Sequence, residues 1–244
     1  MKYLPRKALA LARKELYSYS ISPAFYGIAV FFLLFTSLWF FYFQRFFSLN
    51  TATLRPFFGG FPLAFILVIP VITMKSWAEE RKLGTVEILL SMPFSEWDLV
   101  LGKFFSSLAV VTALMLLTVP VPLSLVPLGS FDSGVILTEY AGAFLLGSSA
   151  TALGLFLSSL SKNQAGAFLG SAVVLLFVML ASQFTLTLNL PLWLSEGINF
   201  ISLTFHFESF SKGLIDTRDL SFFIITTALF LFFNTRVLLF RKWR

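Results

Sequence analysis

The chain has 244 residues, of which 57% are hydrophobic and only 12% charged, and its mean hydropathy is +0.87. Soluble domains carry roughly 25% charged residues, so this composition excludes a soluble globular protein and points to an integral membrane protein. With no cysteine, disulfides and thiolate metal sites are excluded as well.

Residues 1–22 read as an amphipathic helix lying in the membrane interface. Leu9, Ala12, Leu16 and Tyr19 share one side at helical spacing, and Arg6, Lys7, Arg13 and Lys14 gather on another. Such a helix serves either as an anchor to acidic lipid or as a hinge into the apolar run that follows. That run is too long for a secretory signal, and no small-residue cleavage site follows it. Ser22-Pro23 supplies a cap and a first helical position for the span.

About 20 helical residues cross the hydrocarbon layer, and runs of that length fall at 24–43, 57–74, 104–128, 136–160, 165–186 and 221–240. The fold class predicted is an all-α membrane protein of six transmembrane helices, forming a single domain over 1–244. Pro120, Pro122 and Pro127 predict a break in the outer half of the third span. Small residues line the fourth span at Ala143, Gly147, Thr151, Gly154 and Ser158, and Gly166 and Gly170 form a G-x-x-x-G in the fifth. These stripes let helix backbones approach closely in lipid, either within one chain or between two copies.

Six spans place both termini on one side. All 18 Lys and Arg except Arg45, Arg55, Lys212 and Arg218 then share the side of the termini, while the 12 acidic residues divide evenly. The positive-inside rule makes that side cytoplasmic, and the +6 balance reflects topology rather than nucleic-acid binding.

The segment 75–103 is the long charged stretch between membrane-length runs, with Lys75, Glu79, Glu80, Arg81, Lys82, Glu87, Glu96, Asp98 and Lys103. Each charge costs roughly 2.5–3.5 kcal/mol at the bilayer centre, so the segment belongs in water or against another protein. Gly84 takes a positive φ readily and predicts a helix end. Thr85 follows as an N-cap with Glu87 in the first turn of a short helix carrying Ile88, Leu89 and Leu90, and Pro93 ends it. Ser95 and Asp98 form a capping box that restarts the chain into the third span. An apolar helix outside the membrane needs a partner, and the pattern reads as a lever.

On the opposite side, 187–220 is the longest segment between spans. Phe200, Leu203, Phe207, Phe210 and Leu214 mark one apolar helical face, with Ser202, His206, Ser209 and Lys212 largely off it. One or two short interfacial helices are predicted there. No site chemistry is visible. Trp97 and Phe104 break the nucleotide-loop pattern around Gly102-Lys103, and His206 is the only histidine. Glu79 and Glu80 point apart on a helix, as a solvated or partner-facing charge cluster would. Glu139 and Arg236 sit near span ends, and the span interiors otherwise lack the charges of ion-coupled transporters.

The blocks PVITMKSWAEERKLGTVEILLSMPFSEWDLVLGK, GLFLSSLSKNQAGAF and FHFESFSKGLIDTRDLSFF, with a final RKW, resemble the permease subunits of ABC-2-type exporters, and within them the gliding-motility-associated ABC permease family. The resemblance implies a six-helix subunit, either a homodimer or a heterodimer with a second permease or an outer-domain membrane subunit, seated on a cytoplasmic ABC ATPase dimer. ATP and Mg would sit on that ATPase, with no cofactor and no catalytic residue in this chain. It also implies that the coupling segment maps onto Glu79, Glu80, Gly84, Thr85, Glu87 and Pro93, with Ile88, Leu89 and Leu90 or their neighbours seated on the ATPase. Export is the leading expectation. The alternative is a mechanotransmission subunit that passes ATP-driven motion through 187–220 to an outer partner without transport, and a membrane-embedded enzyme stands third for want of clustered catalytic groups.

Overall fold

The computed structural model describes residues 4–48, 53–85, 94–129, 131–187 and 191–242. Among them no strand occurs, and the chain runs through eleven α-helices. These are α1 (Leu4–Ile21), α2 (Pro23–Leu38), α3 (Arg55–Phe58), α4 (Gly60–Lys82), α5 (Glu96–Leu117), α6 (Pro120–Leu125), α7 (Ser133–Leu160), α8 (Gln164–Thr187), α9 (Leu192–Ile201), α10 (Leu203–Ser211) and α11 (Thr217–Lys242). Local chemistry sets several of the starts. Ser22 is extended ahead of Pro23, the Asp132 carboxylate accepts the Gly134 N–H at 2.8 Å, and the Asn163 side chain accepts the Gly166 N–H at 2.7 Å.

Six helical stretches are long and apolar enough to cross a membrane, as the composition predicts. They begin with α2, α3–α4, α5–α6, α7, α8 and α11. Because the number is even, α1 and the end of α11 share one face, here termed the terminal face, opposite a far face. The stretches containing α4 and α7 are mostly buried and form the centre, whereas α2, α8 and α11 keep most of their surface outward. α4 packs on both α7 and α8, α11 on α7, and α1 lies along α5.

Aromatic rings fill the far half of the centre. Phe32, Phe40, Phe57, Phe58, Phe61 and Phe65 are fully buried, with Phe32 stacked on Phe65 and Tyr140 edge-on to Phe58 at 4.8 Å between ring centres. Rings bury large apolar areas with few rotatable bonds, and the edge-to-face pairs add specific attraction. The prolines of the third span act as predicted. α5 stops at Leu117, Thr118 bonds Tyr140 at 3.1 Å, and the chain continues as α6 and a 3₁₀ turn, Val126–Leu128.

Two short helices show which of their sides meets the rest of the protein. On α1 the buried residues are Ala8, Leu11 and Ala12, while Leu9 is 67% exposed, so the protein-facing side lies about one residue step round the helix from the apolar stripe. On α10 the buried side includes His206 along with Leu203, Phe207 and Phe210, whereas Phe200, on α9, and Leu214, beyond the end of α10, are exposed. His206 is not a surface polar residue. It stacks on Phe222 at 3.7 Å, its Nδ1 lies 2.6 Å from Asp219, and its Nε2 lies 3.0 Å from the Phe200 carbonyl. Both ring nitrogens thus have an oxygen partner inside the fold.

Candidate functional site

At the terminal face three helices meet around one ammonium. Lys103, in the second turn of α5, is 1% exposed, and its Nζ donates to Glu80 on α4 at 2.8 Å and to Glu15 on α1 at 3.2 Å. The same ammonium lies 4.8 Å from the centre of the Trp77 ring, on α4. A buried charge is tolerated only when paired and bonded, and here two carboxylates and a ring face supply that.

The approach of α1 to α5 depends on a missing side chain. A Cβ on Gly102 would stand 2.8 Å from the Leu11 Cδ2 and 3.1 Å from the Ala8 carbonyl oxygen. Glycine lets α1 lie flat on α5 and brings Glu15 within reach of the lysine. Tyr19, further along α1, donates its hydroxyl to the Ile72 carbonyl at 2.8 Å and so ties α1 to α4 independently. Burial pushes the Tyr19 phenol above its ordinary range, which keeps it a neutral donor.

The end of α4 reaches onto α7. The Trp77 backbone N–H donates to the Ser158 hydroxyl at 3.3 Å, and the Arg81 guanidinium donates to the carbonyls of Ser159, Leu160 and Ser161. A cation on the orphan carbonyls of a helix C-terminus satisfies them and opposes the dipole. The restart into α5 is a full capping box. The Asp98 N–H donates to the Ser95 hydroxyl at 3.1 Å, and the Ser95 N–H to the Asp98 carboxylate at 3.0 Å. The two ends of the segment between α4 and α5 are therefore fastened to α1 and α7.

Within 75–103, Glu80 turns inward to Lys103, and Glu79 lines the adjoining groove between α1 and α4. Gly84 has φ +69° just beyond the end of α4. The Thr85 hydroxyl donates back to the Glu80 carbonyl at 3.2 Å. Glu87, Ile88, Leu89, Leu90 and Pro93 lie outside the described residues. Of the small residues, Gly147 faces Val111 and Phe65, Gly154 faces Thr73, Gly166 faces only the Asn163 cap, and Gly170 faces open space. Among the described residues no group of three or more His, Asp or Glu is placed to hold a metal.

Glu15, Trp77 and Lys103 were not singled out by sequence reasoning as a cluster, because they are 88 and 23–26 residues apart in pairs that no local pattern links. One signal was present. A lysine set between Gly102 and Phe104, on the membrane side of a capped helix start, requires a counter-charge.

A profile for the ABC-2 family transporter protein matches residues 9–233, which takes in most of α1, the cluster around Lys103 and most of α11. Two curated proteins are similar over part of the chain. The probable multidrug ABC transporter permease YbhR of Escherichia coli (strain K12) is 29% identical over 164 residues, covering 66% of this chain and 43% of that protein. The protein of the same description from Escherichia coli O157:H7 gives the same figures, so the chain spans less than half the length of the curated relatives it matches. The six apolar helices and the profile match across most of their length lead to one assignment: this chain is a multi-pass membrane protein belonging to the ABC-2 transporter family.

Proposed function

We propose that the chain is the transmembrane subunit of an ATP-driven exporter, with ATP hydrolysed on Mg by a separate cytoplasmic ATPase dimer. In this reading the terminal face is the cytoplasmic face of a bacterial inner membrane, and 75–103 is the coupling segment that receives the ATPase stroke. The observation that carries it is the Lys103 clamp. One buried ammonium joins α1, α4 and α5 at the base of that segment, so a push on the segment moves three helices together. Arg81 hands the same displacement to α7 at the centre of the bundle. Interiors are close-packed and transmit strain, so a fastened base acts as a lever where a loose loop would absorb the stroke.

A second copy of this chain, or a related membrane subunit, completes the assembly. The outward faces of α2, α8 and α11 and the open face at Gly170 supply the surface for it. The compounds exported are of the broad, drug-like class named for the Escherichia coli relative. The test is co-expression with a candidate ABC ATPase that co-purifies with the chain from native membranes. Glu87→Lys or Leu90→Glu is expected to abolish co-purification of the ATPase, while Lys103→Met keeps it bound but lowers substrate-stimulated turnover. Unchanged association and turnover in all three variants overturns the reading.

A further inference from the structure

A second charged site lies at the far face, away from the coupling segment. Glu139, in the second turn of α7, is fully buried, and neither carboxylate oxygen has a hydrogen-bond partner. Leaving a buried carboxylate unpaired is costly, so the space beside it matters. That space is a cavity of about 430 Å³ with Glu139 among its lining residues. Exposed Arg55 and Asp132 stand at its rim, and Leu54, Phe131, Val135 and Ile136 form the walls. Asp132 is the N-cap of α7, seven residues before Glu139, and its carboxylate accepts the Gly134 and Val135 N–H groups. Arg55 makes no hydrogen bond to Glu139.

We propose that this cavity binds an organic ammonium group, with the Glu139 carboxylate as its buried counter-ion. The charge balance favours a single positive charge, since the lining carries two acidic side chains, one of them already capping α7, against one guanidinium. A divalent metal is a poor fit. It takes six or more oxygen ligands, and among the described residues no cluster of three acidic or histidine side chains exists. Apart from Thr53 the walls are instead aliphatic with one phenyl ring, which suits alkyl substituents and offers a ring to the cation. Arg55, exposed at the rim, opposes the incoming charge electrostatically and lowers the affinity. The ammonium is supplied either by a free amine or by the headgroup of an aminophospholipid.

The experiment uses the purified full chain in dodecyl maltoside, without any ATPase, so that its failure leaves the exporter reading untouched. Benzyltrimethylammonium is titrated by saturation-transfer NMR, with benzyl alcohol as the neutral control. Saturable binding of the cation alone is expected, weakened about tenfold or more by Glu139→Gln. Arg55→Ala is expected to tighten it several-fold, a gain that a misfolded protein does not give. Displacement of the probe by added phosphatidylethanolamine assigns the site to a lipid headgroup, and its persistence assigns it to a free amine. Equal binding of benzyl alcohol, an unaltered Glu139→Gln, or a loss of affinity in Arg55→Ala overturns the proposal.

Discussion

Lys103 shows how a single side chain organises the terminal face. An ammonium has three donors and no acceptor, and two of them go to Glu15 and Glu80 while the group lies beside the Trp77 ring. Lys103→Met keeps the approximate volume but leaves both carboxylates, each under a quarter exposed, without their cation. The expected cost is about 3 kcal/mol, read as a fall in the thermal midpoint of the purified protein. Lys103→Met combined with Glu80→Gln is expected to recover part of that loss, because the second change removes one of the stranded charges. A double variant less stable than the sum of the singles contradicts the pairing. Little of this is legible in the sequence, where Lys103 reads as the last charge of a loop and Glu15 as an acid on a basic helix. The partner that makes each residue tolerable lies on another helix, and no local periodicity carries that information.

At the scale of elements, start and stop signals are the parts most plainly written into the chain. Ser95 with Asp98, Asp132, Gly84 and the three prolines after Leu117 each act over fewer than five residues, and the structure realises each of them. Ser95→Ala is expected to destabilise the start of α5 by about 1 kcal/mol. Amide exchange should quicken at 96–99 and remain unchanged beyond the middle of α5, which separates a lost cap from global unfolding. The orientation of a short amphipathic helix is less legible. α1 and α10 both carry apolar residues on more than one side, so the stripe counted from hydrophobicity competes with the side that fits a neighbour. On α1 the fit at Gly102 selects Ala8, Leu11 and Ala12 over Leu9. On α10 the bonds from His206 to Asp219 and Phe200 bring a polar residue inside. Glu139 belongs to the same lesson, since its nearness to a span end in sequence conceals its complete enclosure.

At the scale of the whole molecule, hydropathy alone makes the six crossings legible, because a membrane span must satisfy its backbone internally and clothe it in apolar side chains. Charge distribution supplies the orientation, which labelling can test. The chain has no cysteine, so Lys162→Cys, in the turn between α7 and α8, and Lys212→Cys, after α10, each introduce one unique thiol. A membrane-impermeant maleimide applied to intact spheroplasts is expected to label position 212 and spare 162 until the membrane is opened. Reaction at 162 from outside reverses the orientation and removes the coupling segment from the reach of any cytoplasmic ATPase.

The salt bridge between Glu15 and Lys103 also has a consequence for biosynthesis. Its two residues are 88 positions apart, and ribosomes add about 5–20 residues per second, so α1 leaves the ribosome roughly 4–18 s before its counter-charge exists. During that interval the exposed Leu9, Leu16 and Tyr17 beside Arg13 and Lys14 are expected to hold the nascent helix against lipid headgroups. On that expectation the side of α1 that faces away from the finished bundle serves first, before the third span is inserted and α1 docks.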